Sequence, residues 1–192
     1  MEKYNYVGAK VRQLREEREM KLEDLAHSSQ CCVELIEQIE NGSLIPSLSP
    51  LLQISRGLGV RLGTLLDGAE QDGPIITTYD SSHNVMRFSG NTSNNNRPAL
   101  EFYSLAADKK DRHMEPFLID IKSLNDKNIN LSSHEGEEFI FVLEGEIEIV
   151  YGKDKFNLKK GDSIYYDSVV PHNLYSTKED GAKIIAIIYT PF

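Results

Sequence analysis

The chain has 192 residues, of which 40% are hydrophobic, enough for one medium-sized core or two small ones. Its formal net charge of −9 argues against non-specific binding of nucleic acid by the chain as a whole, so any DNA contact must come from a local surface. The sequence contains no apolar signal segment and no run long enough to cross a membrane, and its only cysteines, Cys31 and Cys32, are adjacent. A cytoplasmic protein without a membrane segment or a disulfide framework is therefore expected.

Residues 7–67 carry a helical pattern that predicts five short helices. Val7, Val11 and Leu14 recur at helical spacing in the first of them, and Asn41-Gly42 is a stop signal for the third. An all-α domain over residues 1–67 is the expected result.

The third predicted helix and its surroundings contain four short motifs: Leu25-Ala26, Ile36-Glu37-Gln38-Ile39-Glu40-Asn41-Gly42, Pro46-Ser47-Leu48 and Leu58-Gly59-Val60. Together they resemble the helix-turn-helix domain of the phage-repressor-like XRE family. In that family an arginine of the first helix pairs with the glutamate that ends the recognition helix, and Arg15 and Glu40 match those places. The resemblance also implies a set of DNA-binding residues: Lys21, Cys32, Val33, Glu34, Gln38 and Asn41.

The charge of this domain weighs against tight phosphate binding. Residues 1–67 contain eight Lys and Arg against ten Asp and Glu, and the third helix has Glu34, Glu37 and Glu40 but no basic residue. Base readout needs only a few side chains, however, since glutamate accepts from cytosine N4 and Gln38 can bond adenine. Two interpretations stay open, a DNA-reading head and a retained docking or dimerisation module. In the first, phosphate contacts are expected from basic residues of the flanking helices: Lys10, Arg12, Lys21 and Arg61.

Beyond the helical part, the composition changes to a linker and then to strands. Residues 68–98 are expected to be a linker with a short strand at 75–79 and a polar loop at 90–98. An all-β sandwich or barrel is expected over residues 99–192, so the fold class is α+β with two domains. Seven strands are predicted there: 100–105, 116–122, 139–143, 146–151, 155–158, 163–166 and 183–189.

His134 and Glu138 lie just ahead of an apolar run that turns at Glu144-Gly145. Residues four apart in an extended strand are about 13 Å apart, whereas two ligand atoms of one metal ion lie within roughly 3 Å of each other. The segment must therefore bend if both residues bind one ion. Gly136, which has no Cβ, permits that bend.

The spacing His134-x3-Glu138-x6-Gly145, followed by Gly161-Asp162 and Pro171-His172, resembles the two sequence motifs of the cupin superfamily, a small antiparallel β-barrel also described as a double-stranded β-helix. The resemblance implies metal ligands at His134, Glu138 and His172, with Ser132 at the place of the family's first histidine. Two histidines and one carboxylate suit Fe(II) with open coordination positions, and Zn, Ni and Mn stay open. Taken singly, each ligand also fits a structural role. The walls of a pocket, or part of the core, are expected from Tyr103, Ser132, Phe141, Tyr165 and Tyr166.

A helix-turn-helix domain joined to a cupin domain resembles the cupin-containing class of bacterial transcriptional regulators. That resemblance implies a homodimer, or a higher homo-oligomer, which grips a pseudo-palindromic double-stranded DNA operator. A small-molecule effector or a divalent metal in the cupin barrel would change the placement of the reading heads. The same layout, with Ser132-x-His134-x3-Glu138, is similar to mononuclear iron epoxidases that act on hydroxypropylphosphonate, which implies an Fe(II)-dependent oxygenase as the alternative. A binding protein with a vestigial reading head is the third interpretation.

Overall fold

In the computed structural model the described residues are 6–66, 72–78, 100–107, 109–123 and 131–190, together with the backbone of 85–88. The chain divides into two units, whose described parts are residues 6–66 and, with the gaps just given, residues 72–190. The expected domain limits at residues 67 and 99, and the polar loop at 90–98, lie outside the described residues.

Five helices make up the first unit, as the apolar spacing predicts. They are α1 (Tyr6–Glu17), α2 (Leu22–Ser29), α3 (Val33–Glu40), α4 (Leu48–Gly57) and α5 (Leu62–Leu66). Helices this short are unstable alone, so the unit depends on the packing of their apolar faces. Each helix contributes a side chain that is almost completely buried: Val11, Leu25, Ile36, Leu51 and Leu62. None of the described helices is long and apolar enough to cross a membrane.

The expected pairing of Arg15 with Glu40 is present and joins α1 to the end of α3. Arg15 donates from Nε to Glu40 Oε1 at 2.7 Å and from its terminal nitrogen to Oε2 at 2.8 Å. The Glu40 side chain is 1% exposed, so the pair fixes the end of α3 from the buried side. A third bond, from Arg15 to the carbonyl of Met20, ties the same guanidinium to the turn after α1.

Nine strands make up the described part of the second unit. One antiparallel sheet has the order β1-β2-β3-β9-β4-β7, and the other has the order β6-β5-β8. Ile140 and Ile184 of the first sheet and Ile147 and Ile149 of the second are fully buried, so the core lies between the two sheets. Hydrogen bonds among the described strands do not close the sheets into one ring. The strands are β1 (Val85–Phe88), β2 (Leu100–Ser104), β3 (Met114–Ile121), β4 (Glu137–Glu144), β5 (Glu146–Tyr151), β6 (Asp154–Lys159), β7 (Ser163–Asp167), β8 (His172–Ser176) and β9 (Ala182–Tyr189).

The seven predicted strands are present, and two further strands, β1 and β8, were not predicted. The sequence of β8 has no apolar alternation, and the strand forms because it pairs with β5, with Leu174 opposite Ile149. The strand expected at 75–79 is absent from its described part, residues 75–78. Ile76 there is 86% exposed, so its side chain does not anchor the segment against a sheet.

The isoleucine-rich strand β9 lies between β3 and β4 in the larger sheet, and its side chains alternate between the two faces of that sheet. Ile184, Ala186 and Ile188 are buried on the face towards the core, whereas Ile185 and Ile187 are half-buried on the outer face. Residues paired across antiparallel strands lie on the same face of the sheet. The pairing of β9 with β3 and β4 therefore shows which side chains of β3 and β4 face the core and which face outwards.

Candidate metal centre and reading helix

Three side chains from different places in the chain converge at one end of the second unit. His134 precedes β4, Glu138 is the second residue of β4, and His172 opens β8. One ligand atom from each of these residues lies within 4.8 Å of the others. Their side chains are 3%, 7% and 8% exposed, respectively, so the three polar groups meet in a buried place.

The bend predicted between His134 and Glu138 is centred on Gly136. Its φ of +106° is unfavourable for residues with a side chain, and an added Cβ would lie 1.9 Å from the carbonyl oxygen of Tyr189. Two backbone hydrogen bonds hold the bend: His134 N–H donates to the Ser168 carbonyl at 3.0 Å, and Ser168 N–H donates to the Gly136 carbonyl at 2.9 Å. Glycine is therefore required at this bend.

Both histidines are oriented through their Nδ1 atoms. His134 Nδ1 lies 3.0 Å from the carbonyl oxygen of Glu135, and His172 Nδ1 lies 2.9 Å from that of Val170. A carbonyl oxygen only accepts, so each Nδ1 carries a hydrogen and each Nε2 faces the carboxylate. The Nε2 atoms lie 2.7 and 3.4 Å from Glu138 Oε1. Ligand histidines are commonly held in this way, with the second ring nitrogen donating to a backbone carbonyl.

The carboxyl group of Glu138 is held in its charged form. Burial raises its pKa, but the hydrogen bonds and charges of His134 and His172 outweigh burial and lower the pKa to about 2. Burial also lowers the pKa of His172, and its hydrogen bond and charge interaction with Glu138 raise that pKa above the ordinary 6.5. Tyr166 donates its hydroxyl to Glu138 Oε2 at 2.6 Å. Burial and the Glu138 carboxylate raise the pKa of Tyr166, so this donor stays protonated.

These groups fit a divalent metal ion. With both imidazoles neutral, two nitrogen lone pairs and one carboxylate oxygen point at one another in a buried site, an arrangement that needs a proton or a cation. Two histidines and one carboxylate are a donor set used by divalent transition metals. Ser132, where the sequence resemblance expects the first histidine, forms a backbone bridge with His172, with nitrogen-to-carbonyl-oxygen distances of 3.0 and 2.9 Å. It therefore lies beside the site.

The structure brings only part of the expected pocket lining together with the triad. Tyr166 contacts Glu138, and Ser132 pairs with His172. Tyr103, Phe141 and Tyr165, in contrast, lie on the opposite face of the larger sheet from Glu138. Phe141 is an odd number of residues from Glu138 along β4, and the chain of partners Phe141, Ile185, Leu118 and Tyr103 keeps that outer face. Tyr165, which pairs with Phe139, is 62% exposed there.

A buried ion pair lies at the same end of the unit. Arg112 donates from Nε to Glu115 Oε2 at 2.7 Å, and their side chains are 7% and 6% exposed. Glu115 pairs with Ile188, which pairs with Glu138, so Glu115 shares the inner face with the triad. Glu115 continues the alternation of Phe117, Ile119 and Ile121, and the strand predicted at 116–122 begins one residue after it.

In the first unit, helix α3 is here called the reading helix. Cys32, its N-cap, and Glu34, Gln38 and Asn41 are exposed, Val33 is half-buried, and Lys21 is exposed at the N-cap of α2. Asn41 Oδ1 accepts a hydrogen bond from the Ser43 N–H at 2.9 Å, which shapes the turn after the helix. The expected DNA-binding residues thus lie on and around a helix whose opposite side is anchored by Arg15.

Comparison with known proteins matches each unit to a family. A helix-turn-helix domain family matches residues 7–67, and the cupin domain family matches residues 126–188. The HTH-type transcriptional regulator DdrOP3 of Deinococcus deserti is 34% identical over 61 residues, which is 32% of this chain and 47% of that protein. A crystal structure of an HTH_3 family transcriptional regulator from Vibrio cholerae covers 98% of this chain and 97% of its own, with 20% identity and a TM-score of 0.69; this likeness concerns the fold.

An enzyme is similar over both units. The (S)-2-hydroxypropylphosphonic acid epoxidase of Streptomyces wedmorensis is 30% identical over 163 residues, covering 79% of this chain and 77% of that protein. The crystal structure of its Fe(II) form covers 97% of this chain and 99% of its own, with 26% identity and a TM-score of 0.52. The chain therefore belongs to the family of proteins with an N-terminal helix-turn-helix domain and a C-terminal cupin domain that includes this epoxidase.

Proposed function

We propose that the protein is a DNA-binding transcriptional regulator, active as a homodimer, whose cupin domain holds a divalent metal ion on His134, Glu138 and His172. The observation that carries the proposal is the buried convergence of these three groups in a chain that also has a helix-turn-helix domain. Glu138 accepts a hydrogen bond from Tyr166 and faces two oriented imidazoles, an arrangement typical of a metal-binding carboxylate.

DNA recognition is proposed to use the exposed side of the reading helix. Gln38 and Glu34 are the base-reading groups, because an amide can bond adenine and a carboxylate can accept from cytosine. Lys21 and Lys10 are the proposed phosphate contacts, whereas Arg12 bonds Glu40 at 3.3 Å and so also serves the fold. In a two-fold homodimer, the two reading helices would meet half-sites about 34 Å, one DNA turn, or a multiple apart.

The metal ion is proposed to link a small-molecule effector to the DNA-binding state. Three protein donors leave coordination positions for an outside ligand, and Ser132 supplies only a weak neutral hydroxyl at the place of the fourth cupin ligand. When bound, a divalent ion supplies positive charge and Lewis acidity to that ligand. A difference in effector affinity between two arrangements of the dimer would shift DNA affinity by about 1–3 kcal/mol, typical of such coupling.

Two measurements on the full chain test this proposal. Selection from random duplexes at low salt should enrich a palindrome with two half-sites, and the absence of any enriched sequence would count against the regulator. Calorimetric titration of Fe(II), Zn(II), Ni(II) and Mn(II) should show one ion per chain for the wild type and almost none for His172→Ala. His113→Ala removes an exposed histidine outside the triad and is the control that keeps full binding.

A second candidate function is an Fe(II)-dependent oxygenase acting on a small phosphonate-like substrate. The observation that favours it is the 30% identity with the epoxidase over 79% of this chain. Incubating the Fe(II)-loaded protein with (S)-2-hydroxypropylphosphonic acid and either oxygen or hydrogen peroxide tests it directly. Substrate recovered unchanged, at an iron occupancy confirmed by metal analysis, would exclude this substrate.

A further inference from the structure

Tyr166 and Glu138 are directly opposed in the register of β7 and β4, on the inner face of the larger sheet. They are each 6% exposed, and the phenol donates to Glu138 Oε2 at 2.6 Å. The other carboxylate oxygen, Oε1, is the one that lies 2.7 Å from His134 Nε2 and 3.4 Å from His172 Nε2. The two oxygens of one carboxylate thus have separate partners.

We propose that Tyr166 is a positioning residue that makes Glu138 a one-oxygen metal ligand and so keeps a coordination position open for an outside ligand. The inference rests on the proposed metal site and adds a residue that determines what the site can bind. To bind through both oxygens, Glu138 would have to turn Oε2 towards the ion and break its bond to Tyr166. A buried phenol would then lose its acceptor, which is a costly change inside the protein.

The ring of Tyr166 is itself held in place, so the phenol cannot easily follow the carboxylate. Its centroid lies 5.3 Å from that of Tyr151 and 5.1 Å from that of His172. Tyr166 therefore contacts two of the three proposed ligands, Glu138 through a hydrogen bond and His172 through ring packing. A phenylalanine would fill the same space and keep the ring contacts, but it would release Oε2.

The consequence concerns ligand access more than metal affinity. With Oε2 retained by Tyr166, the ion has three protein donors, the number that leaves room for exogenous ligands. With Oε2 released, the carboxylate can supply a fourth donor and compete with an outside ligand for the same position. A purely structural role for the hydroxyl predicts a change in stability and no change at the metal.

The test compares Tyr166→Phe with Tyr165→Phe in the full chain loaded with Co(II). Tyr165 is the neighbouring residue and also donates to a carboxylate, that of Glu137, but it lies on the outer face and is 62% exposed. Azide is the probe for an open position, and the visible absorption of Co(II), which weakens as coordination number rises, reports the number of donors. Tyr166→Phe should bind Co(II) at least as tightly as the wild type, absorb less, and bind azide about tenfold more weakly, the scale of outer-shell effects. Tyr165→Phe should match the wild type.

Infrared difference spectra of the wild type on Co(II) loading keep the test independent of how well the variant folds. When one oxygen binds the metal, the two carboxylate stretching bands lie further apart than in an unbound carboxylate. When both oxygens bind, the two bands lie closer together. A narrow separation of the carboxylate bands in the wild type, or an azide affinity of Tyr166→Phe within twofold of the wild-type value, would overturn the role of Tyr166. Neither result would contradict the proposed metal site. A wild type that binds no Co(II) would overturn both proposals.

Discussion

Replacing Gly136 with alanine should both destabilise the fold and weaken the proposed metal centre. Two separate costs apply at this position. The left-handed φ of +106° costs a non-glycine residue about 1–3 kcal/mol, and the new Cβ would meet the Tyr189 carbonyl oxygen at 1.9 Å. That oxygen belongs to β9, where Tyr189 pairs with Glu137, so it cannot move away without disturbing the sheet. Overpacking of this kind adds about 1–3 kcal/mol, for a total of about 2–6 kcal/mol.

Gly161→Ala is the matched control, because Gly161 also has a positive φ, +92°, but its Cβ would have nothing within 4 Å. Urea unfolding of both variants should give a loss of about 1–3 kcal/mol for Gly161→Ala and the larger loss for Gly136→Ala. Calorimetric titration should show Zn(II) binding weakened tenfold or more only in Gly136→Ala, since the bend orients His134 towards Glu138. Equal stability and equal Zn(II) affinity in the two variants would refute the reasoning that the bend sets the site.

Three further predictions concern the reading helix and the triad. Arg15→Met leaves the 1%-exposed Glu40 side chain without its main partner and should lower the free energy of unfolding in urea by about 3–5 kcal/mol. The control Gln13→Met, which breaks an exposed hydrogen bond to Glu17, should lower it by no more than about 0.5 kcal/mol. Gln38→Ala should weaken binding to the best selected duplex by about 1–3 kcal/mol in a fluorescence titration; an unchanged affinity would remove Gln38 from base reading. Because the pKa of His172 is raised in the folded state, its proton stabilises the metal-free protein below pH 6.5, and this stabilisation is lost as the pH rises from 6.5 through the raised pKa. Calorimetric melting should therefore show that stabilisation by Zn(II) increases as the pH rises above 6.5, and a stabilisation that does not change with pH would contradict the assignment.

The features predicted well from sequence were those that depend on spacing along the chain. The five helices follow from apolar residues at helical intervals and from the stop at Asn41-Gly42. The bend at Gly136 follows from a length argument: an extended strand separates His134 and Glu138 too far for one ion, so the chain had to turn at the residue without a Cβ. Both arguments use distances between near neighbours, and these are fixed by covalent geometry.

The features that sequence could not supply depend on which strands are neighbours. Tyr103 is aromatic, but the register through β3, β9 and β4 places it on the outer face of the larger sheet. The outer position of Phe141, in contrast, follows from alternation along β4 alone, because Phe141 is an odd number of residues from Glu138. A shift of one residue in any of the intervening pairs would have turned Tyr103 inward, so residue type alone could not decide its face. Strand β8 has the same explanation, because its polar sequence becomes a strand only by pairing with β5.

The two-domain layout by itself does not separate a regulator from an oxygenase, since proteins similar to this chain over both units include a transcriptional regulator and an epoxidase. Both proposed functions would use the same three ligands and the same open positions, so removal of His172 should abolish either one. They differ in the fate of the bound molecule: a regulator releases its effector unchanged, whereas an oxygenase releases an oxidised product. One sample can test both properties. DNA affinity is measured with and without a bound ligand, and the released ligand is then analysed by mass spectrometry. A change in DNA affinity with the ligand recovered intact would establish the regulator, and an oxidised ligand with unchanged DNA affinity would establish the enzyme.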